Sequence, residues 1–354
     1  MNSFFLNTDL VDEYTKFYNN SYNANQDRKY ISWLYRINEA EHLNSFLLIL
    51  KSEDSIIATQ GMMDINLISG DNIIRSAKSE SSYLKEDFRG KGIFENLYSD
   101  AVKEAGKRNL NYIWGLTSAI KVWRSKLKFY VFEDTLKESS CKISNPFIQK
   151  SIKDVIYSFL IFLWQSILIG YYSVCNKVFS KTIVSEDLII DDLVSLQKRV
   201  CKKFPSNISI QYSQEYYDWR IVNNPFNKDV KSYTIYDKRD NSAVAFILFK
   251  LDRIRKNIYI IDVLSLKDSY TRILIFEIIR NYRLKGFENV FFVWNNVNKT
   301  TQNYYKVFRI FGFIKSWNFP LSFILNGTTR DYEIKSSDLR NWTVTGLWTE
   351  GSTY

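Results

Sequence analysis

The sequence predicts an α/β (α+β) fold in which two related mixed-sheet domains stand in tandem, joined by an apolar helical segment. Three observations predict it. Strand-like runs alternate with amphipathic helical patterns, and this order occurs twice along the 354 residues. Two aromatic landmarks recur at similar offsets: Tyr30 and Trp33 in the segment Tyr30–Arg36 against Tyr216 and Trp219 in Tyr216–Val222, 186 apart, and Trp114 against Trp294, 180 apart. Near-constant offsets indicate an internal duplication with small insertions, against the competing reading of chance likeness between aromatic-rich strands. Between the copies lies Val155–Asn176, a run without a charged side chain.

In the first half a helix is expected over Asp12–Asn20, then strands over Ser45–Lys51, Ser55–Ile68 and Asn72–Leu84. The turn Arg89–Phe94 leads into a helix with Ile93, Leu97, Ala101 and Ala105 spaced by four. A strand at Tyr112–Leu116, a helix at Ala119–Leu127 and a strand from Phe129 to Phe132 follow. In the second half strands are expected at Ser232–Tyr236, Ala243–Lys250 and Asn257–Leu266, a helix at Arg272–Leu284 and a strand at Asn289–Trp294. Thr300–Phe311 reads as a helix and Gly312–Leu325 as further strand. The run 155–176 is long enough to cross a bilayer. Ser158, Gln165, Ser166, Gly170 and Ser173 dilute it, and a span would part the two copies. A buried inter-domain helix or helical hairpin is expected, with membrane contact through 155–176 as the alternative. The expected division is 1–145, 146–185 and 186–354.

Composition supports two cores, at 45% hydrophobic and 16% aromatic residues. Four prolines and 12 glycines argue against a disordered or fibrous chain. The net charge of +10 suits an anionic partner, but the cations are scattered. That favours small phosphate-bearing ligands over nucleic acid. Cys141, Cys175 and Cys201 are odd in number and lack CxxC spacing, and His42 is the sole histidine. These argue against a disulfide framework or a metal site and suit a cytoplasmic protein. His42, beside Glu41 in a polar stretch, reads as a solvated loop residue. No secretory signal is visible at the N-terminus.

The chemistry is concentrated in Arg89–Phe94. Glycines between a strand and a helix let backbone N–H groups turn toward one point, and the helix N-terminus adds its positive dipole end. This is a pyrophosphate cradle. It carries no Walker lysine pattern, and with only Gly90-Lys91-Gly92 it is not a dinucleotide fingerprint.

Arg89-Gly90-Lys91-Gly92-Ile93-Phe94 resembles the acyl-CoA loop of the GNAT superfamily, R/Q-x-x-G-x-G/A, with Phe94 in place of the last small residue. Ala77–Leu84 is similar to the strand before that loop. Lys126-Leu127-Lys128-Phe129 stands where the family often has L-G-F, a motif that Phe311-Gly312-Phe313 keeps. The likeness covers about residues 45–135 well and 205–325 as a degenerate copy, whose loop position, Lys267–Arg272, lacks glycine. It implies acyl-CoA as co-substrate, no tightly bound cofactor, and direct transfer to an amine in a ternary complex. Tandem halves with one active copy resemble enzymes that acylate nucleotide-linked amino-deoxy sugars for bacterial surface polysaccharide such as lipopolysaccharide O-antigen.

The resemblance assigns CoA binding to Tyr83, Leu84, Arg89, Gly90, Lys91, Gly92, Ile93 and Phe94, and the thioester carbonyl to backbone N–H groups around Ser82 to Leu84. Glu80 is the expected general base; strand alternation places it on one face with Lys78 and Ser82. The family's tyrosine acid has no counterpart in Lys121–Lys126, and Tyr130 lies beyond. Acceptor contacts are expected from Trp33, Arg36, Trp114, Trp219, Arg220, Asn223, Trp294 and Asn295, which supply stackable rings, cations and amides. Two alternatives remain: an aminoacyl-tRNA-dependent cell-wall peptide transferase, and a non-catalytic membrane-associated binding protein.

Overall fold

A computed structural model describes residues 1–37, 44–143, 152–179, 182–187, 189–225, 229–313, 315–327 and 338–349. His42 lies outside them. The first half runs β1 (Asn2–Phe5), α1 (Val11–Tyr22), α2 (Arg28–Tyr35), β2 (Phe46–Ser52), β3 (Ser55–Asp64), β4 (Leu67–Ser69), β5 (Asn72–Ile74), β6 (Ser76–Leu84), α3 (Ile93–Lys107), β7 (Tyr112–Thr117), β8 (Tyr130–Phe132) and β9 (Leu136–Lys142). Then come α4 (Ile152–Phe179), β10 (Thr182–Ser185), α5 (Ile190–Lys203), β11 (Ile208–Ile210), α6 (Gln214–Tyr217), β12 (Val230–Asp237), β13 (Ala243–Asp252) and β14 (Asn257–Ser265). The chain closes with α7 (Asp268–Arg283), β15 (Asn289–Asn295), α8 (Lys299–Arg309), β16 (Lys315–Asn318) and β17 (Ser322–Gly327).

Two seven-stranded sheets have matching orders, β1-β2-β3-β6-β7-β17-β8 and β10-β12-β13-β14-β15-β9-β16. Each is antiparallel except for one parallel pair, β6 with β7 and β14 with β15. The halves exchange a strand: β17 pairs with β7 in the first sheet, and β9 pairs with β15 in the second. The expected cuts at 145 and 186 therefore run through two interleaved units. β4, β5 and β11 form a small third sheet, so the expected strand Ser55–Ile68 breaks after Asp64.

The duplication is visible as a reciprocal contact. The Trp33 indole N–H donates to the Trp219 carbonyl at 2.7 Å, and the Trp219 indole to the Trp33 carbonyl at 2.8 Å. One large core contains residues of both halves, including Tyr14, Trp114, Trp219 and Val293. Separate cores bury α3 against the first sheet and α7 with α8 against the second.

The expected helix at Ala119–Leu127 is present over 120–126, winding as a π-turn at Val122–Lys126 that buries Trp123. One expectation is corrected. The apolar segment is one 28-residue helix and not a hairpin, and one of its faces is exposed. Among the described residues no helix is long and apolar enough to cross a membrane.

Candidate active site

Strands β6 and β7 pair in parallel at Ser76–Tyr112, Ala77–Ile113 and Lys78–Trp114. Beyond Lys78 they part. A cavity of about 850 Å³ fills the splay, lined by Ser79 to Leu84 on one side and Leu116 to Ala119 on the other. Along this stretch β6 has a partner only in β3, so the backbone on its other edge faces the cavity.

A bulge shapes that edge. The β3–β6 register shifts between Thr59 and Gly61, and Ser81 takes the left-handed region at φ 52°. Buried Gln60 spans the bulge, donating to Ser79 Oγ at 3.0 Å and accepting from Ser82 Oγ at 2.6 Å. In a regular strand those two serines would point to opposite faces. The expected grouping of Ser82 with Lys78 and Glu80 is thereby corrected: Ser82 shares Gln60 with Ser79. Gly61 is required here, because a Cβ would lie 2.4 Å from the Tyr35 hydroxyl and 2.9 Å from the Glu80 carbonyl oxygen.

At the C-terminal end of β6 the chain turns through Gly90 and Gly92, both left-handed at φ 77° and 72°. A Cβ at either would meet nothing within 4 Å, so these glycines serve the backbone conformation alone. The 15-residue α3 starts at once, with Gly92 as N-cap and no side-chain cap. The first N–H groups of a helix have no intrahelical acceptor and, with the dipole, favour an anion. Arg89, Gly90, Gly92, Phe94 and Glu95 line the cavity here, and Lys126 lines it from the π-turn. Arg89 is held by Glu86 at 3.1 Å and by the Leu84 carbonyl at 3.3 Å.

Glu80 lies on the cavity wall, 2.8 Å from the ammonium of buried Lys78. Burial alone would raise its carboxyl. Lys78, by charge and hydrogen bond, and Arg220, by charge, outweigh this and hold it below the usual carboxylate range. Glu80 is therefore ionised at neutral pH. Tyr22 and Tyr83 also line the cavity, with ring centroids 5.6 Å apart. Behind them the hydroxyls of Tyr14, Tyr35 and Ser81 are buried without a hydrogen-bond partner of normal geometry.

The expected site residues divide. Glu80, Ser82, Tyr83, Leu84, Arg89, Gly90, Gly92 and Phe94 line one cavity; Lys91 and Ile93 are in the same loop but not on its wall. Lys91 instead donates to the Asp87 carbonyl at 2.9 Å. The expected acceptor set is not there. Trp114 is fully buried, bonds Ser76 Oγ at 3.1 Å and packs on Trp348. Trp33, Trp219, Arg36 and Arg220 form the contact between the halves, with the Arg220 guanidinium 4.6 Å from the Trp33 ring and Arg36 paired to Glu215 at 2.6 Å. Asn223 ends the turn Asp218–Val222 and is exposed. Trp294 stacks on Tyr305 at 4.3 Å, and buried Asn295 donates to the Leu339 and Trp342 carbonyls. Sequence reasoning missed Tyr22, Leu321 and Lys126. Tyr22 and Leu321 are remote in sequence, and only the strand exchange carries Leu321 to the first sheet.

In the second half the same splay exists and is filled. β14 and β15 pair only from Asn257–Asn289 to Ile260–Phe292. Beyond that, residues 339–349 fill the space. Thr345 bridges to Trp294 and donates to Asp262 Oδ1 at 2.9 Å, and a Cβ on Gly346 would lie 2.8 Å from the Ile260 carbonyl oxygen. Lys267 leads straight into α7, with no glycine turn. Among the described residues no cluster of His, Cys, Asp and Glu is placed to hold a metal ion.

No family model matches the sequence, and no curated protein matches it. Solved structures do match. A GCN5-related N-acetyltransferase from Anabaena variabilis superposes with a TM-score of 0.61 at 10% identity, over 93% of this chain and 73% of its own. A probable N-acyltransferase from Enterococcus faecalis gives 0.60 at 7% identity, over 92% and 72%. N-myristoyltransferase from Saccharomyces cerevisiae, with bound myristoyl-CoA, gives 0.54 at 11% identity, over 92% and 79%. Over most of its length the chain thus has the fold shared by GCN5-related N-acetyltransferases and N-myristoyltransferase.

Proposed function

We propose that the protein is an acyl-CoA-dependent N-acyltransferase whose chemistry occurs in the β6–β7 splay. The observation that carries this reading is the conjunction of that open splay with the Gly90–Gly92 turn and the uncapped N-terminus of α3. The turn and helix end receive the pyrophosphate of CoA, with Arg89 and Lys126 supplying nearby positive charge. The pantetheine lies along the unpartnered edge of β6, whose backbone N–H groups around Ser82 to Leu84 hold the thioester carbonyl as it becomes an oxyanion.

The acceptor is a primary amine. It enters past Tyr22 and Tyr83 toward Glu80, whose ionised carboxylate orients it and takes the proton shed once nitrogen has attacked the carbonyl carbon. The carbon–sulfur bond then breaks. CoA leaves as the thiolate, near the Lys126 ammonium. The amine attacks as the neutral base, so it enters having already lost its ammonium proton to solvent, and the aromatic faces of Tyr22 and Tyr83 beside the carboxylate position it. The finer reading, an amino-deoxy sugar carried on a nucleotide, rests on the sequence resemblance, because the side chains expected to hold the acceptor do not line the cavity, although the Arg220 charge reaches Glu80.

CoA release from acetyl-CoA and myristoyl-CoA, measured against amine acceptors that include nucleotide-linked amino sugars and peptides with a free N-terminus, tests this. Amine-dependent release with an N-acyl product by mass spectrometry is expected. CoA binding without release for any amine would remove the transferase reading.

A further inference from the structure

The long helix α4 buries polar side chains and exposes many apolar ones. Ser158 and Gln165 are buried together with Leu168, and the Gln165 amide donates to the carbonyls of Lys142 and Phe311 at 3.0 and 3.1 Å. Seven large apolar residues face outward. Ile156, Phe159, Leu160, Leu163, Trp164, Ile167 and Tyr171 are all between 39% and 62% exposed. Their spacing of three and four residues makes one continuous stripe, about 22 Å long at 1.5 Å per residue. Patches of this kind on a soluble surface mark an interaction site.

The surroundings say what covers it. No charged residue interrupts 155–176. Cations border it. Arg283 at the end of α7 lies 3.3 Å from the Phe162 ring centroid and donates to Ser166 Oγ at 3.0 Å. Arg280 stands one turn earlier, 45% exposed and paired with buried Glu277 at 2.5 Å. The Trp164 indole donates to the Ile310 carbonyl at 2.6 Å, beside exposed Arg309 and, one turn back, exposed Lys306. Leu284, 90% exposed, extends the apolar surface next to Arg283. A second copy meeting this face by twofold symmetry would set these cations against one another. An anionic lipid surface satisfies both the apolar stripe and the charged rim.

We propose that the outward face of α4 seats the protein on an anionic membrane surface, with the helix lying in the interface and its cationic rim on lipid headgroups. The Tyr171 side chain suits that depth, having an apolar body and a polar tip, and Trp164 offers its ring face while its N–H stays bonded to Ile310. The proposal stands whether or not the chain transfers acyl groups.

Vesicle flotation with the full chain tests it, using phosphatidylcholine alone and phosphatidylcholine mixed with phosphatidylglycerol. The chain is expected to float with the anionic vesicles, more weakly at high salt. The double variant Leu160→Asp/Ile167→Glu, at two positions open to solvent, is expected to bind at least about tenfold more weakly. Near-ultraviolet circular dichroism shows whether it is folded, and Tyr171→Glu repeats the test if it is not. No flotation of the wild type, or equal flotation of folded variants, would overturn the proposal. So would a wild-type dimer that the variant makes monomeric, with no vesicle binding by either.

Discussion

The two halves hold the same opening and use it differently. In the first, β6 and β7 part beyond Lys78 around a cavity of about 850 Å³. In the second, β14 and β15 part beyond Ile260 around the chain's own residues 339–349. The first loop has two left-handed glycines, and the second has Lys267 running straight into a helix. The polar residues follow suit. Glu80 faces a cavity, with Lys78 holding its charge. Asp262 is buried and bonded by Tyr212 at 2.8 Å and Thr345 at 2.9 Å, inside the plug. The same splay is thus open to a cavity in the first half and closed by residues 339–349 in the second.

The largest expected effect falls on the open side. Glu80→Gln should lower kcat by about 10²–10⁴-fold while CoA binds as before. Unchanged kcat would remove Glu80 from the chemistry.

The next tests the plug. Burial raises the Asp262 carboxyl to about 6, against the hydrogen bonds from Tyr212 and Thr345. A carboxyl raised in the folded state favours folding below its unfolded value, near pH 4, and loses that contribution as pH climbs through about 6. The wild type should therefore lose roughly 2–3 kcal/mol over that window from this group. Asp262→Asn should flatten the dependence in urea unfolding at a series of pH values. An unaltered profile would show that Asp262 does not titrate there.

Asn295→Ala, which strips two carbonyls of the plug of their donor, should cost about 1–3 kcal/mol. Calorimetry should still find one CoA per chain, since the second loop has no glycine turn. Two per chain would make the plug the sole difference between the halves. Smallest is the symmetric contact: Trp33→Phe and Trp219→Phe should show a coupling of about 0.5–1 kcal/mol in a double-mutant cycle. Strict additivity would leave the reciprocal bonds without energetic weight.

Much of this was legible in the sequence, for local reasons. Strand and helix periods, the glycine turn and the 186-residue offset of the tryptophans all act over short range or by repetition, and each appears in the structure. The expected acceptor residues do not line the cavity, because an aromatic pattern does not say which face is buried. Trp114 and Trp294 anchor cores, and Trp33 with Trp219 joins the halves. The bulge at Ser81 shifted Ser82, and bulges leave little trace in a run such as Ser79–Ser82. The exchange of β9 and β17 was hidden as well, since strand pairing at such separation is settled by the whole fold.

Thermal unfolding with and without acetyl-CoA, myristoyl-CoA and free CoA, in the wild type and in Gly92→Trp, tests the central claim most directly. Ligand at about 100 times its dissociation constant should add roughly 2.7 kcal/mol. For a chain of this size that should raise Tm by about 2–4 °C. The shift should vanish in Gly92→Trp, where a bulky side chain on a left-handed residue closes the cradle. No shift in the wild type, or the same shift in the variant, would contradict a CoA site between β6 and β7.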